Sequence, residues 1–159
     1  MYDPYLADIA DIQRIPEVET ILAELCELTG MGFAAVARVT ADRWIACQVL
    51  DKIEFGLEPG GELAVKTTIC DEIRASGRGV YIDDVAADPA WRTHHTPALY
   101  GLKSYISWPI VRSDGSFFGT LCAIDPTERS GLAELVPQME IYAQRIADEL
   151  DRLSVAASR

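Results

Sequence analysis

The sequence predicts an α+β domain, and three observations predict it. Residues 67–125 read helix, strand, polar loop, strand, tight turn, strand. On either side, over 16–30 and 132–155, apolar residues recur at helical spacing. At 159 residues and 49% hydrophobic content, the chain is a single domain whose core needs no disulfide or metal staple.

Each element has a local signal. Leu6, Ile9, Ala10 and Ile12 or Gln13 fall at helical intervals, a short amphipathic helix or arm within residues 1–15. Pro16 suits a first helical turn. After it Val18, Ile21, Leu22, Leu25, Cys26 and Leu28 form an apolar stripe, and Gly30 stops the helix. Two strands follow. Phe33, Ala35, Ala37 and Val39 alternate with Ala34, Val36 and Arg38. Trp44, Ala46, Gln48 and Leu50 alternate with Ile45, Cys47, Val49 and Asp51. Both faces are apolar, so the sheet is expected to be covered on both sides. Residues 58–61 make a loop. Thr67 or Thr68 is placed to cap a helix carrying Ile69, Cys70 and Ile73, which Gly77 and Gly79 end. Residues 80–82 are a strand, 83–96 a polar loop, and 97–101 a short helix. Strands over 104–112 and 117–125 are joined at Asp114-Gly115, a pair that tolerates the positive φ of a hairpin turn.

The last helix, about 132–155, carries Met139, Ala143, Ile146, Leu150 and Leu153 at 4-3-4-3 spacing, the spacing of a helix-pairing seam. The first half of this face is expected to cover the sheet. The far end is expected to pair with a second copy, making a homodimer.

Composition narrows the partners. Fourteen Lys and Arg against 25 Asp and Glu give a net charge of −11. That field disfavours nucleic acid and an anionic membrane surface. There is no signal peptide and no apolar run long enough to span a bilayer, so a soluble, cytoplasmic setting is expected. None of the cysteines, Cys26, Cys47, Cys70 and Cys122, forms a C-x-x-C pair. His94-His95 is the only histidine pair, its side chains diverge in an extended loop, and no third ligand sets a zinc spacing, so no metal is expected. No Gly-x-Ser-x-Gly, phosphate-binding Gly-Lys-Ser/Thr or His-Glu-x-x-His motif occurs. From these absences no catalytic residues and no enzyme activity are expected.

The element order, with Tyr105, Pro109-Ile110, Asp114-Gly115, Gly119-Thr120-Leu121-Cys122 and Asp125, resembles the GAF domain family. Ile69-Cys70-Asp71-Glu72-Ile73, Gly77 and Ile82-Asp83-Asp84 are similar to its middle portion. The likeness is greatest to the GAF domains of bacterial sensory histidine kinases and cyclic-di-GMP enzymes. It implies a central antiparallel sheet of five or six strands, terminal helices on one face, and the middle helix and long loop forming a pocket on the other. It divides the chain into an N-terminal helical arm (1–15), a GAF core (16–130) and a C-terminal signalling or dimerisation helix (131–159). It implies a sensory, small-molecule-binding module, part of or partner to an output domain such as a histidine kinase or cyclic-di-GMP enzyme. The alternatives within the fold are a thiol-dependent reductase of free methionine sulfoxide and a ligand-free dimerisation module.

The candidate pocket residues are Cys70, Ile73, Trp91, His94, His95, Tyr100, Tyr105, Ser107, Phe118, Thr120 and Cys122. Strand alternation separates Tyr105 and Ser107 from Ser104, Ile106 and Trp108, and groups Phe118, Thr120 and Cys122. It leaves open which set faces the pocket. Cys70 sits in the first turns of its helix, where the macrodipole favours a thiolate and Asp71 and Glu72 oppose it. Covalent bilin attachment is not expected, because no Cys precedes a His and the Asp-x-Cys-Phe pattern is missing. The cyclic-nucleotide signature needs an Asn, and the chain has none. The cofactor stays unassigned.

Overall fold

The computed structural model describes residues 3–89, 91 and 101–157, with side chains through residue 154. The elements in order are α1 (Leu6–Gln13), α2 (Pro16–Thr29), β1 (Phe33–Val39), β2 (Trp44–Asp51), β3 (Glu62–Leu63), α3 (Ile69–Ser76), β4 (Val80–Ile82), β5 (Ser104–Val111), β6 (Phe117–Asp125) and α4 (Val136–Ala157). The strands form one antiparallel sheet of six in the order β3-β2-β1-β6-β5-β4. The α+β architecture is the one the sequence predicts.

This strand order explains where a pocket forms. β3 closes one edge of the sheet and β4 the other. The chain between them must cross a whole face, and α3 lies in that crossing. The opposite face takes α1, α2 and α4. There Ile12, Val18, Leu22, Leu25, Met139 and Ile146 pack on Ala34, Val36, Ile106 and Leu121. On the crossing face Ile69, Cys70 and Ile73 of α3 pack over Phe33, Ala35, Ala37, Trp44, Tyr105 and Cys122. The sheet is thus buried on both sides, which is why its strands read as apolar on both faces.

The punctuation agrees with the sequence in several places. Pro16 opens α2, Gly30 ends it at φ 74°, and Gly77 ends α3 at φ 72°. Gly115 takes φ 87° in the β5–β6 turn. Other readings change. Thr68 holds the N-cap position of α3 but makes no side-chain cap; its hydroxyl donates back to the Val65 carbonyl at 2.7 Å, closing a 3-10 turn over Val65–Thr67. The last helix begins with another 3-10 turn, Leu132–Leu135, so α4 starts four residues late. β3 has no signal in the sequence, because two residues carry no periodicity. The short helix expected at 97–101 lies mostly outside the described residues.

The pairing seam is corrected. Met139, Ala143, Ile146 and Leu150 are buried in the chain's own helix-side core, and Leu153 packs against it. The 4-3 spacing marks an apolar stripe but does not distinguish a sheet of the same chain from a second helix.

Two bulges break the strand alternation. Between Val36 and Ala37 the β1–β2 register skips Cys47, which turns Leu50 to the helix face and Val49 to the pocket face. Between Ile110 and Val111 the β5–β6 register skips Phe118. An extra residue in one strand of a pair reverses the side-chain direction locally.

Candidate functional site

Beneath α3 lies a cavity of about 40 Å³. A water needs roughly 10–15 Å³ by this measure, so the space takes a small group of atoms. Its walls are apolar: Phe33 from β1, Phe55 and Leu57 from the β2–β3 loop, Leu63, Ile69, Leu102 and Ile124. Among the lining residues Trp44, Thr68, Cys70, Tyr105 and Cys122 carry a polar group. No charged side chain lines it among the described residues.

The polar floor is built by three elements. β5 places Tyr105 and Ser107 on the pocket face, and β6 places Thr120 and Cys122 there, with Ser107 directly opposite Cys122. α3 lowers Cys70 onto them. Cys70 Sγ shares hydrogen bonds with Thr120 Oγ1 at 3.1 Å and Tyr105 Oη at 3.4 Å, and lies 3.9 Å from Ser107 Oγ. All these side chains are buried.

Those neighbours decide the protonation of the thiols. Hydrogen bonding from Cys122 is the largest effect on Cys70 and draws its pKa below the ordinary thiol value; burial opposes it, and Thr120, Tyr105 and Trp44 add to the lowering. Cys122 is pushed the other way, first by its hydrogen bond to Cys70 and then by burial. The pair therefore gives up its first proton from Cys70, and Cys122 keeps the second as donor. Burial, then the charge on Cys70, holds the Tyr105 hydroxyl well above its ordinary value, so it too remains a donor. The other thiols behave conventionally: burial raises Cys26, and it pushes Cys47 up to about 12.

One donor is left over. Trp44 is 3% exposed and lines the cavity, and its indole Nε1–H has no hydrogen-bond partner among the described residues. It lies near enough to Cys70 to favour the thiolate without being satisfied by it. A buried N–H without a partner costs about 1–3 kcal/mol.

The predicted site residues divide as follows. Cys70, Tyr105 and Cys122 line the cavity, and Ser107 and Thr120 complete the polar floor. Ile73 is fully buried in the same cluster and Trp91 packs against it, but neither lines the cavity. Phe118 is a correction. The β6 bulge turns it to the helix face, where its ring lies under Arg38 and Arg112 at 5.3 and 5.2 Å. His94, His95 and Tyr100 lie outside the described residues. Among the described residues no three His, Cys, Asp or Glu gather as metal ligands. Phe33, Trp44, Phe55 and Leu57 were not read as lining, because the pocket was sought only within residues 67–125. The signal for Trp44 was a Trp opening a buried strand with a donor to satisfy. Cys47 and Cys122 occupy opposite faces of the sheet.

Comparison with known families matches residues 14–150 to the GAF domain. No curated protein matches the sequence. Among solved structures, the chain is similar to the free methionine-R-sulfoxide reductase of Neisseria meningitidis in complex with its substrate, at 17% identity and TM-score 0.68, covering 94% of this chain and 86% of that one. It is similar to the type II free methionine-R-sulfoxide reductase of Thermoplasma acidophilum at 12% identity and TM-score 0.63, covering 86% and 91%. Residues 122 to 287 of a methyl-accepting chemotaxis protein match at 17% identity and TM-score 0.66, covering 96% and 99%. At such identities the likeness is one of fold. It still overturns the expectation that this chain is no enzyme. Two of the similar structures are enzymes on this same fold, so missing hydrolase and kinase motifs do not exclude catalysis. No helix among the described residues is long and apolar enough to cross a membrane.

Proposed function

The chain belongs to the GAF domain family, and on that premise we propose that it is a small-molecule-binding sensory domain of a bacterial signalling protein, joined to an output such as a histidine kinase or a cyclic-di-GMP enzyme. One observation carries the reading. The cavity under α3 is apolar in its walls, polar at its floor and without a charged side chain among the described lining residues, the make-up of a ligand site. The sensory relatives, such as the chemotaxis protein, support the signalling context. A ligand acts as a signal only if it binds two arrangements of the protein with different affinity.

Mass spectrometry of gently purified protein tests this. A retained small organic molecule, lost on denaturation, is the expected result. Protein that retains nothing and binds nothing from a panel of uncharged metabolites would remove the reading.

A second reading is favoured by the thiol pair. Cys70 and Cys122 both line the pocket, where a nucleophile and a resolving partner would have to stand in a thiol-dependent reductase of free methionine sulfoxide. Turnover of methionine sulfoxide with a thiol reductant, lost in Cys70→Ser and Cys122→Ser, would establish it. A zwitterionic substrate would need charged partners from outside the described lining.

A further inference from the structure

Resting on the ligand-site reading above, we propose that the ligand is a small uncharged α,β-unsaturated carbonyl compound, which docks its oxygen on Trp44 Nε1–H and is captured covalently by Cys70 Sγ. Four features of the cavity specify it. Its walls are apolar and its described lining is uncharged, so an ion would lose its hydration without compensation. A peroxide or another fully polar oxidant gains nothing from such walls. The one unsatisfied donor among the described lining residues is an N–H, so the ligand supplies an acceptor and not a donor. A carbonyl oxygen supplies one. Finally, the sulfur beside that donor sits between the Thr120 and Tyr105 hydroxyls at hydrogen-bond distance, 3.1 and 3.4 Å, which hold the electron pair ready for attack. A saturated ketone would use the walls and the donor. Only a conjugated one uses the sulfur as well.

The step balances within the pocket. The Cys70 electron pair forms a bond to the β-carbon. The carbon–carbon π bond breaks toward the carbonyl, and the enolate oxygen is held by Trp44 Nε1–H. The proton released by the Cys70 thiol passes to the α-carbon through its hydrogen-bonded neighbours Tyr105 and Thr120. Nothing leaves, and nothing is oxidised or reduced. The reverse step runs along the same path: the α-proton leaves, the enolate re-forms and expels the sulfur, and the sulfur recovers the proton.

The probes are but-3-en-2-one and its saturated counterpart butan-2-one, small enough for the space under α3, applied to the full chain. Intact mass and peptide mapping should find a single enone adduct, on Cys70 and on none of Cys26, Cys47 or Cys122. Cys70→Ser should give no adduct but still bind butan-2-one. Trp44→Phe should slow capture roughly tenfold or more, the scale of losing one donor to a developing oxyanion. In the wild-type protein, butan-2-one should shift the Trp44 indole N–H resonance, a readout that stands if Trp44→Phe fails to fold. Reversible binding of both probes without an adduct would overturn the capture and leave the ligand site standing. An adduct on another cysteine, or an unmoved Trp44 resonance under saturating ketone, would also overturn it. Binding of neither probe, in protein that retains some other molecule, would overturn this ligand class alone; binding of nothing at all would take the ligand site with it.

Discussion

Cys70 and Cys47 are both buried thiols, and their surroundings move them in opposite directions. Cys47 offers only a long contact to the Ile45 carbonyl, at 3.8 Å, so burial dominates and its proton is held up to about 12. Cys70 has donors from Cys122, Thr120, Tyr105 and Trp44, and together they outweigh its burial. The thiolate ultraviolet absorbance of the folded protein should therefore appear below the ordinary thiol range of about 8.5. It should vanish from that range in Cys70→Ser and move upward in Cys122→Ala, which removes the largest donor. Because the folded value lies below the unfolded one, the stability linked to this group is present above the unfolded thiol pKa. It is lost as pH falls through the folded value. A thiolate signal no earlier than that of free cysteine would refute the assignment. The sequence brought Cys70 into view but weighed only Asp71 and Glu72 beside it. The partners that decide its chemistry lie 35 and 50 residues away, at Tyr105 and Thr120, and only the strand pairing brings them in.

At the level of elements, periodicity and turn chemistry located the helices and the long strands, because one residue's neighbours suffice to specify them. Bulges escaped it. Each depends on how many residues the partner strand places opposite, and alternation within one strand holds no trace of that. The β6 bulge therefore moved Phe118 off the pocket face while Thr120 and Cys122 stayed. Beside it Gly119 passes so close to β1 that a Cβ there would lie 1.8 Å from the Ala37 carbonyl oxygen. Gly119→Ala should push β1 and β6 apart and cost about 1–3 kcal/mol, the range for overpacking, read by denaturant unfolding. An unchanged midpoint would mean that the central strand pair has slack. The helix layer has its own link. Tyr142 of α4 donates to Glu24 of α2 at 2.7 Å, and burial first, then Glu24, raises the hydroxyl to about 12. Tyr142→Phe should cost about 1 kcal/mol at neutral pH. The raised value makes that stability present below about 10, the unfolded tyrosine pKa, and lost as pH rises to about 12. Wild type and variant should converge there, and a gap that persists at high pH would assign the loss to packing instead.

Over the whole molecule, the cavity and the terminal helices occupy opposite faces of one sheet, so any signal between them must cross a single layer of backbone. β6 is the shortest route. Cys122 faces the cavity, while its neighbours Leu121 and Ala123 face the helix-side core that contains Met139 and Ile146 of α4. A close-packed sheet transmits a displacement on one face to the next layer with little loss. α2 and α4 receive it together, since Tyr142 and Glu24 join them. Spin labels at Leu28 of α2 and Ile141 of α4 suit the measurement, because both side chains are half exposed, at 51% and 52%, and touch neither cavity nor core. Saturation with butan-2-one should shift the label separation by about 1–2 Å, the size of helix displacements in comparable switches. The net charge of −11 should leave this response untouched by salt, because an uncharged ligand in an uncharged lining gains nothing from the field of the surface. A distance distribution that stays fixed while the ketone occupies the site would place the output elsewhere than the paired helices. A strong salt dependence would mean that charges beyond the described lining take part in binding.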